Sequence, residues 1–160
     1  MTDALTVNGK AKAVTRAADT DLLIDYLREE CGLLAVKRGC GSQACGACTV
    51  LLDGRAVRSC SVLVAQVLGR AVTTLEGLSG DGQLHKVQQA LGDYHGLQCG
   101  FCTPGMIMAL VSQLHETSDV SREMIRQAVQ GNLCRCTGYQ NIVEAAVAAS
   151  VSVRTHSDER

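Results

Sequence analysis

Residues 39–50 read GCGSQACGACTV, and the reading of this stretch decides the fold. Cys40, Cys45 and Cys48 are spaced C-x4-C-x2-C, with Cys60 following in the strand after the Asp53-Gly54 turn. This is the spacing by which plant-type [2Fe-2S] centres are held. Each of two irons takes two thiolates. Gly39, Gly41 and Gly46 keep the loop open, so that backbone amides approach the bridging sulfides and offset their negative charge. A structural zinc site is the competing reading, but zinc sites normally use paired C-x2-C units and have little use for a four-residue gap.

Working outward, the sequence predicts strands around this loop. ALTV, the pair Asn8-Gly9 and KAKAV form a hairpin, since Asn-Gly accepts positive φ at both central positions. TDLLIDYLREE predicts a helix with Leu22, Leu23, Tyr26 and Leu27 on one face and Gly32 as its stop. TVLL, Asp53-Gly54 and RAVRSCSV predict a second hairpin, and AVTTLE around residue 72 a closing strand. These elements make a small α+β domain.

Beyond the linker GLSGDGQ at residues 77–83 the period changes. Four sets of apolar residues follow a 3.6-residue rhythm: Leu84, Val87, Leu91 and Tyr94; Met106, Ile107, Leu110, Val111 and Leu114; Met124, Ile125, Ala128 and Val129; Ile142, Val143, Ala146 and Val147. Four short amphipathic helices are expected, none stable alone, so they pack as a bundle.

This half contains a weak repeat: a glycine stop, two residues, Cys, a short spacer, Cys-Thr and a helix, first as Gly96 with LQCGFCTPG and again as Gly131 with NLCRCTGY. Thr103 is read as a cap with Pro104 in the first helical position, and Thr137 with Gln140 as a capping box. Cys102 and Cys136 then each precede a helix N-terminus, where dipole and free amides favour a thiolate. Cys134 and Cys136 are poorly placed for a disulfide with each other. On spacing alone, Cys99, Cys102, Cys134 and Cys136 suit zinc or an iron-sulfur centre. The first set favours the second reading, because a second centre is the next station for an electron whereas zinc is redox-silent.

The nine cysteines are far above ordinary usage, and MTDALTVNGK carries neither a basic nor an apolar leader region. The chain therefore reads as cytoplasmic, where clustered thiols are metal ligands or catalytic groups more often than disulfides. Residues 1–76 carry nine basic and eight acidic side chains and the remainder six and eight, so neither half offers a basic face for nucleic acid. No apolar run approaches membrane-spanning length. With only Tyr26, Tyr94, Phe101 and Tyr139 as aromatics, the core is aliphatic and alanine-rich, suited to closely approaching helices. Cys31 reads as an inert packed thiol. His85, His95, His115 and His156 show no ligand-like spacing, Arg135 is a charge partner for the neighbouring centre or a solvated residue, and the final SVRTHSDER is expected to fray.

GCGSQACGACTVLLDG (39–54), QCGFCTPGMIM (98–108) and GNLCRCTGY (131–139) resemble, in the same order, three signature stretches of the small iron-sulfur subunit of the molybdenum hydroxylase (xanthine oxidase) family. The likeness runs from residue 4 to about 150. It implies a ferredoxin-like β-grasp domain at residues 1–76 holding an outer [2Fe-2S] centre, and a four-helix bundle at residues 84–160 holding an inner one. It implies partner polypeptides as well: a large molybdenum-pterin subunit and a medium FAD subunit, assembled as a dimer of heterotrimers. Gln98 and Cys136 match the positions that approach the pterin. Ala35-Val36 and Gln43 depart from the glycines usual there, so the outer loop is expected to be shaped differently.

The chain shows no acid, base or nucleophile constellation, in keeping with an electron-transfer subunit whose substrate chemistry is elsewhere. A free-standing ferredoxin shuttle is the alternative, disfavoured because shuttles carry a charged docking surface and this chain has a net charge of -1. A zinc-binding interaction module is the third reading.

Overall fold

The structure, a computed structural model, describes residues 4–14, 20–79, 82–116 and 119–157, with side chains as far as residue 151. Strands β1 (Ala4–Val7), β2 (Lys10–Ala13), β3 (Thr49–Leu52), β4 (Arg55–Arg58) and β5 (Ala71–Thr73) form one sheet in the order β2-β1-β5-β3-β4. Both expected hairpins are present, with Asn8 at φ 50° and Asp53 at φ 49°, each followed by a positive-φ glycine. The first turn residue of each hairpin also reaches β5. The Asn8 carboxamide exchanges two hydrogen bonds with Thr74, and the Asp53 carboxylate accepts from Arg70 Nε at 2.6 Å and the Ala71 amide at 2.9 Å. These clamps hold a strand of three residues in the middle of the sheet, parallel to β1 and antiparallel to β3.

β3 is buried on both faces and joins the two halves of the molecule. Val50 and Leu52 pack with Leu23, Ile24 and Leu27 on one side, while Leu51 packs with the helices on the other. The first helical segment differs from expectation. One α-turn, α1 (Leu23–Asp25), widens into a π-turn at Tyr26–Glu30, closed by the Cys31 amide donating to Tyr26 O at 3.1 Å. Widening brings Ile24 as well as Leu23, Tyr26 and Leu27 into the core, whereas Leu22 is only half-buried. Gly32 ends the segment at φ 70°. The second hairpin strand stops at Arg58, and Ser59–Ser61 form a 3-10 turn because Ser59 bonds back to Cys48 O through both its amide and its hydroxyl. The closing strand likewise ends at Thr73, and Leu75–Gly77 form a second 3-10 turn.

Helices α2 (Lys86–Asp93), α3 (Thr103–Glu116), α4 (Arg122–Val129) and α5 (Gln140–Ser157) follow, with α2 packed on α5 and α3, and α4 on α3 and α5. α3 also lies across β3 and β4. It is buried continuously from Gly105 to Ser112 rather than along one stripe, because sheet and helices cover opposite sides of it. Its Ser112 hydroxyl accepts the Ala56 amide at 3.0 Å and so covers the free edge of β4. The opposite edge strand, β2, is exposed and carries Lys10 and Lys12.

α2 begins two residues later than the apolar rhythm predicts. Leu84 is 58% exposed, and His85 caps the helix through Nδ1, which accepts the Val87 amide at 3.3 Å. Tyr94 is 48% exposed beyond the helix end. The expected linker is anchored at its start: Leu78 packs on the helical core, and Gly77 lies so close to Asn8 that a Cβ would collide with it. Residues 80 and 81 of that linker, and 158–160 of the expected frayed end, lie outside the described residues. Among the described residues no helix is long and apolar enough to cross a membrane.

Two glycines in helices test this packing. Gly105→Ala drives a methyl into Gly46 O and within 3.2 Å of Ala47 Cα, so denaturation should show a loss of about 1–3 kcal/mol. Gly92→Ala meets nothing within 4 Å and should be neutral or stabilising by up to about 1 kcal/mol. The His85 cap requires a neutral imidazole, and burial, with Lys86 and His115 adding, lowers its pKa. Its stabilisation is therefore complete above the ordinary histidine pKa and is lost as pH falls through the lowered one. His85→Asp, which caps as a carboxylate, should flatten the fall in melting temperature of the chain as pH drops below about 6.5.

Candidate metal centres

The loop from Cys40 to Cys48 is closed at its base. Lys37 donates its amide to Ala47 O at 3.3 Å, Arg28 donates to Val36 O at 2.7 Å, and Arg38 pairs with Asp25. Within the loop, the amides of Ser42 and Ala44 both point at Cys40 Sγ, each at 3.4 Å. Hydrogen bonds from Ser42 and from the amides of Cys45 and Ala44 hold the Cys40 thiol down at about 5. The loop keeps this shape although Gln43 stands at φ 62°, a backbone conformation that a side chain makes costly. Gly39 has a steric role: a Cβ there would approach Cys45 Sγ at 2.8 Å and Phe101 Cε1 at 3.5 Å.

Cys60, on the 3-10 turn, completes the first set. Burial pushes its thiol up to about 11, with Cys48, Cys40 and Cys45 adding to the rise. Cys48 is its hydrogen-bonding neighbour, while Cys45 donates its amide to Cys40. The thiols of Cys48 and Cys60 are thus in direct contact, while Cys40 is held by the backbone of Cys45 and its neighbours.

The second set repeats the pattern. Cys136 Sγ lies 3.6 Å from Cys99 Sγ, and Cys102 is hydrogen-bonded to Cys134. A disulfide requires about 2.05 Å, whereas two thiolates on one tetrahedral metal at about 2.3 Å lie about 3.8 Å apart. The observed spacing suits a shared metal, and all nine cysteines are free. Burial pushes Cys102 up to about 12, with Cys134 adding to it. Burial also opposes ionisation of Cys134, but the hydroxyl and amide of Thr137 outweigh it and lower the pKa. In Cys136 the hydrogen bond with Cys99 raises it. Neighbouring sulfurs therefore resist ionising together unless cations lie between them.

Among the described residues no three donor side chains close around a single ion. A lone tetrahedral zinc would gather its sulfurs about one point, whereas a diiron centre takes them two by two. The second set provides two such pairs and the first set one, Cys48 with Cys60, and the donors fit [2Fe-2S] centres.

The elements that position the second set differ from the sequence reading at one cysteine. Cys102 does begin a helix, its carbonyl accepting the Met106 amide at 3.0 Å. Cys136 does not, because α5 starts at Gln140 after Gly138 and Tyr139 turn through φ 66°. The Thr137–Gln140 capping box is absent; Thr137 Oγ1 instead accepts the Tyr139 amide at 3.2 Å and contacts Cys134 Sγ at 3.1 Å. The Tyr139 hydroxyl accepts the Cys134 amide at 2.7 Å and donates to Asn132 O at 3.1 Å. Cys99, Cys136, Arg135 and Gln98 are exposed, as are the neighbouring Leu97, Phe101 and Leu133. Cys31 packs at the margin of the sheet core with its thiol raised by burial, apart from both sets. Asn132, Thr137, Tyr139 and Ser59 escaped the sequence reading as site residues, although three of them lie inside NLCRCTGY.

Two families of domain span this arrangement. Residues 5–74 match the "2Fe-2S iron-sulfur cluster binding domain" and residues 74–147 the "[2Fe-2S] binding domain". The chain is 47% identical over 157 residues to the 6-hydroxypseudooxynicotine dehydrogenase complex subunit beta of Paenarthrobacter nicotinovorans, covering 95% of this chain and 94% of that one. It is 46% identical over 144 residues to the xanthine dehydrogenase iron-sulfur-binding subunit of Escherichia coli O157:H7, covering 89% of each. Quinoline 2-oxidoreductase from Pseudomonas putida 86 contains a chain that superposes with a TM-score of 0.86 at 41% identity, covering 97% of this chain and 96% of that one. The chain belongs to the small iron-sulfur subunits of the xanthine dehydrogenase family of molybdenum hydroxylases. It carries two [2Fe-2S]-binding domains and an electron-transfer role within an oxidoreductase complex.

The Tyr139 hydroxyl satisfies two backbone groups beside Cys134. Tyr139→Phe should cost about 1–3 kcal/mol in denaturation and reduce iron retained on gel filtration.

Proposed function

We propose that this chain relays electrons between a molybdenum-pterin subunit and an FAD subunit of one complex, through an inner centre on Cys99, Cys102, Cys134 and Cys136 and an outer centre on Cys40, Cys45, Cys48 and Cys60. The observation that carries this is the pairing of thiols, Cys99 with Cys136 at 3.6 Å above all. Each centre, when bound, supplies a one-electron acceptor. The chain's own residues supply the rest. Paired thiols hold the metal, the Ser42 and Ala44 amides and the Thr137 hydroxyl offset charge on sulfur, and the half-burial of Cys45, Cys60, Cys102 and Cys134 limits water.

The functional units of this reading are residues 1–76, a β-grasp domain, and 84–160, a four-helix bundle, joined by 77–83. Exposure of Cys99 and Cys136, together with that of Leu97, Phe101 and Leu133 beside them in the chain, supports placing the inner set against the molybdenum subunit, with Gln98 and Cys136 toward the pterin. The outer set then faces the FAD subunit, the whole forming a dimer of heterotrimers. That two relatives are named as subunits of dehydrogenases supports the assembly.

The purified complex should contain four irons and four acid-labile sulfides per copy of this chain, two of each per centre. Reduction should give two electron paramagnetic resonance signals. Cys136→Ser should alter the one that interacts magnetically with molybdenum, and Cys45→Ser the other. Two irons with one zinc would defeat the assignment of two clusters.

A further inference from the structure

The two thiol sets meet at one buried carboxamide. Asn132 is only 5% exposed and lies between the end of α4 and Cys134. Its Nδ2 donates to Gly46 O at 2.8 Å and to Thr49 Oγ1 at 3.3 Å, so both bonds end on the segment that carries Cys45 and Cys48. Its amide donates to Val129 O at 2.9 Å, and its carbonyl accepts the Tyr139 hydroxyl. The next amide, that of Leu133, donates to Cys45 O at 2.8 Å. Gly46 O also accepts from the Thr49 hydroxyl at 2.7 Å and the Thr49 amide at 3.1 Å, so three donors converge on a single carbonyl.

The surrounding backbone leaves this junction no slack. A Cβ on Gly46 would strike Gly131 O and the Asn132 side chain, and one on Gly105 would strike Gly46 O while approaching Asn132 Nδ2 at 3.1 Å. Three segments therefore close on Asn132: the loop of the first set, the first turn of α3 behind Cys102, and the approach to Cys134. Displacing any one of them moves a neighbour, since packed backbone atoms have nowhere to yield. A buried donor of this kind is costly to leave unpaired, so the carboxamide transmits strain rather than letting go.

We propose that Asn132 is a positioning residue that couples the two sets, so that sulfur geometry at Cys45 and Cys48 and at Cys134 and Cys136 is set jointly. The proposal rests on the reading that both sets hold [2Fe-2S] centres. Coupling of this kind is reciprocal: a change made on the outer side is felt at the inner centre, and the reverse.

The test uses the assembled complex carrying Asn132→Asp, which preserves size but replaces the donor with a carboxyl group. Thr49→Val alters the same junction from the outer side, and Asn141→Asp serves as control, its side chain bonding His95 O at 3.4 Å in the helical half. Each centre is followed by its paramagnetic resonance signal, and the Leu133 amide by hydrogen exchange. Asn132→Asp should shift both signals and speed Leu133 exchange about tenfold. Thr49→Val should shift the inner signal as well as the outer, and Asn141→Asp should leave the outer signal unchanged. Coupling is refuted if Thr49→Val moves the outer signal alone, or if Asn132→Asp moves the inner signal alone. Should Asn132→Asp fail to assemble, Thr49→Val decides by the same criterion. A wild-type complex with fewer than four irons per chain defeats the cluster reading, whereas four irons with independent signals defeats only the coupling.

Discussion

The close approach of backbone to backbone at Gly46, Gly105 and Gly131, with the Asn132 carboxamide in the gap, is the contact on which the rest of the molecule depends. The sheet and the helices have separate cores, and either layer alone could shift against the other. What prevents this is polar and short-ranged. Arg58 donates to Gly131 O at 3.2 Å, Ser112 accepts from β4, and Leu133 donates to Cys45 O. Leu51 adds the apolar complement by packing on the helices from the strand whose other face completes the sheet core. Burying a side chain of that size contributes about 1.5–3 kcal/mol, but the hydrogen bonds decide the relative position because they tolerate little misalignment.

Eight thiols brought into two groups create an electrostatic difficulty, and the fold answers it unevenly. Cys40 and Cys134 receive hydrogen bonds and are lowered, whereas Cys60 and Cys102 are buried beside other sulfurs and raised. Sulfurs packed this closely resist ionising together. Iron supplies the missing positive charge, and its binding is accordingly linked to proton release. Hydrogen bonding to sulfur and burial are the levers by which a protein tunes the potential of such a centre.

Exposed apolar side chains flank the cysteines of the second set in the chain. Leu97, Phe101 and Leu133 are exposed, as are Cys99 and Cys136, and exposed apolar side chains are poorly suited to water and well suited to a partner surface. The outer loop is more polar, its Cys40 fully open to solvent. The short junction around Asn132 lies between the segments that carry the two cysteine sets.

The hairpins and the presence of two [2Fe-2S]-binding domains could be read from the amino-acid order, because turns at Asn8-Gly9 and Asp53-Gly54 and closely spaced cysteines are constrained within a few residues. Other features depended on contacts between distant parts of the chain. α3 is buried all round because a sheet lies on one side of it, and α1 gives way to a π-turn after Asp25. Cys60 sits on a 3-10 turn because Ser59 bonds to Cys48, and Thr137 serves a thiol and a neighbouring amide rather than capping a helix. Asn132 is the clearest instance. In the sequence it is an ordinary polar residue before a cysteine, and only folding brings Gly46, 86 positions away, within reach of its side chain.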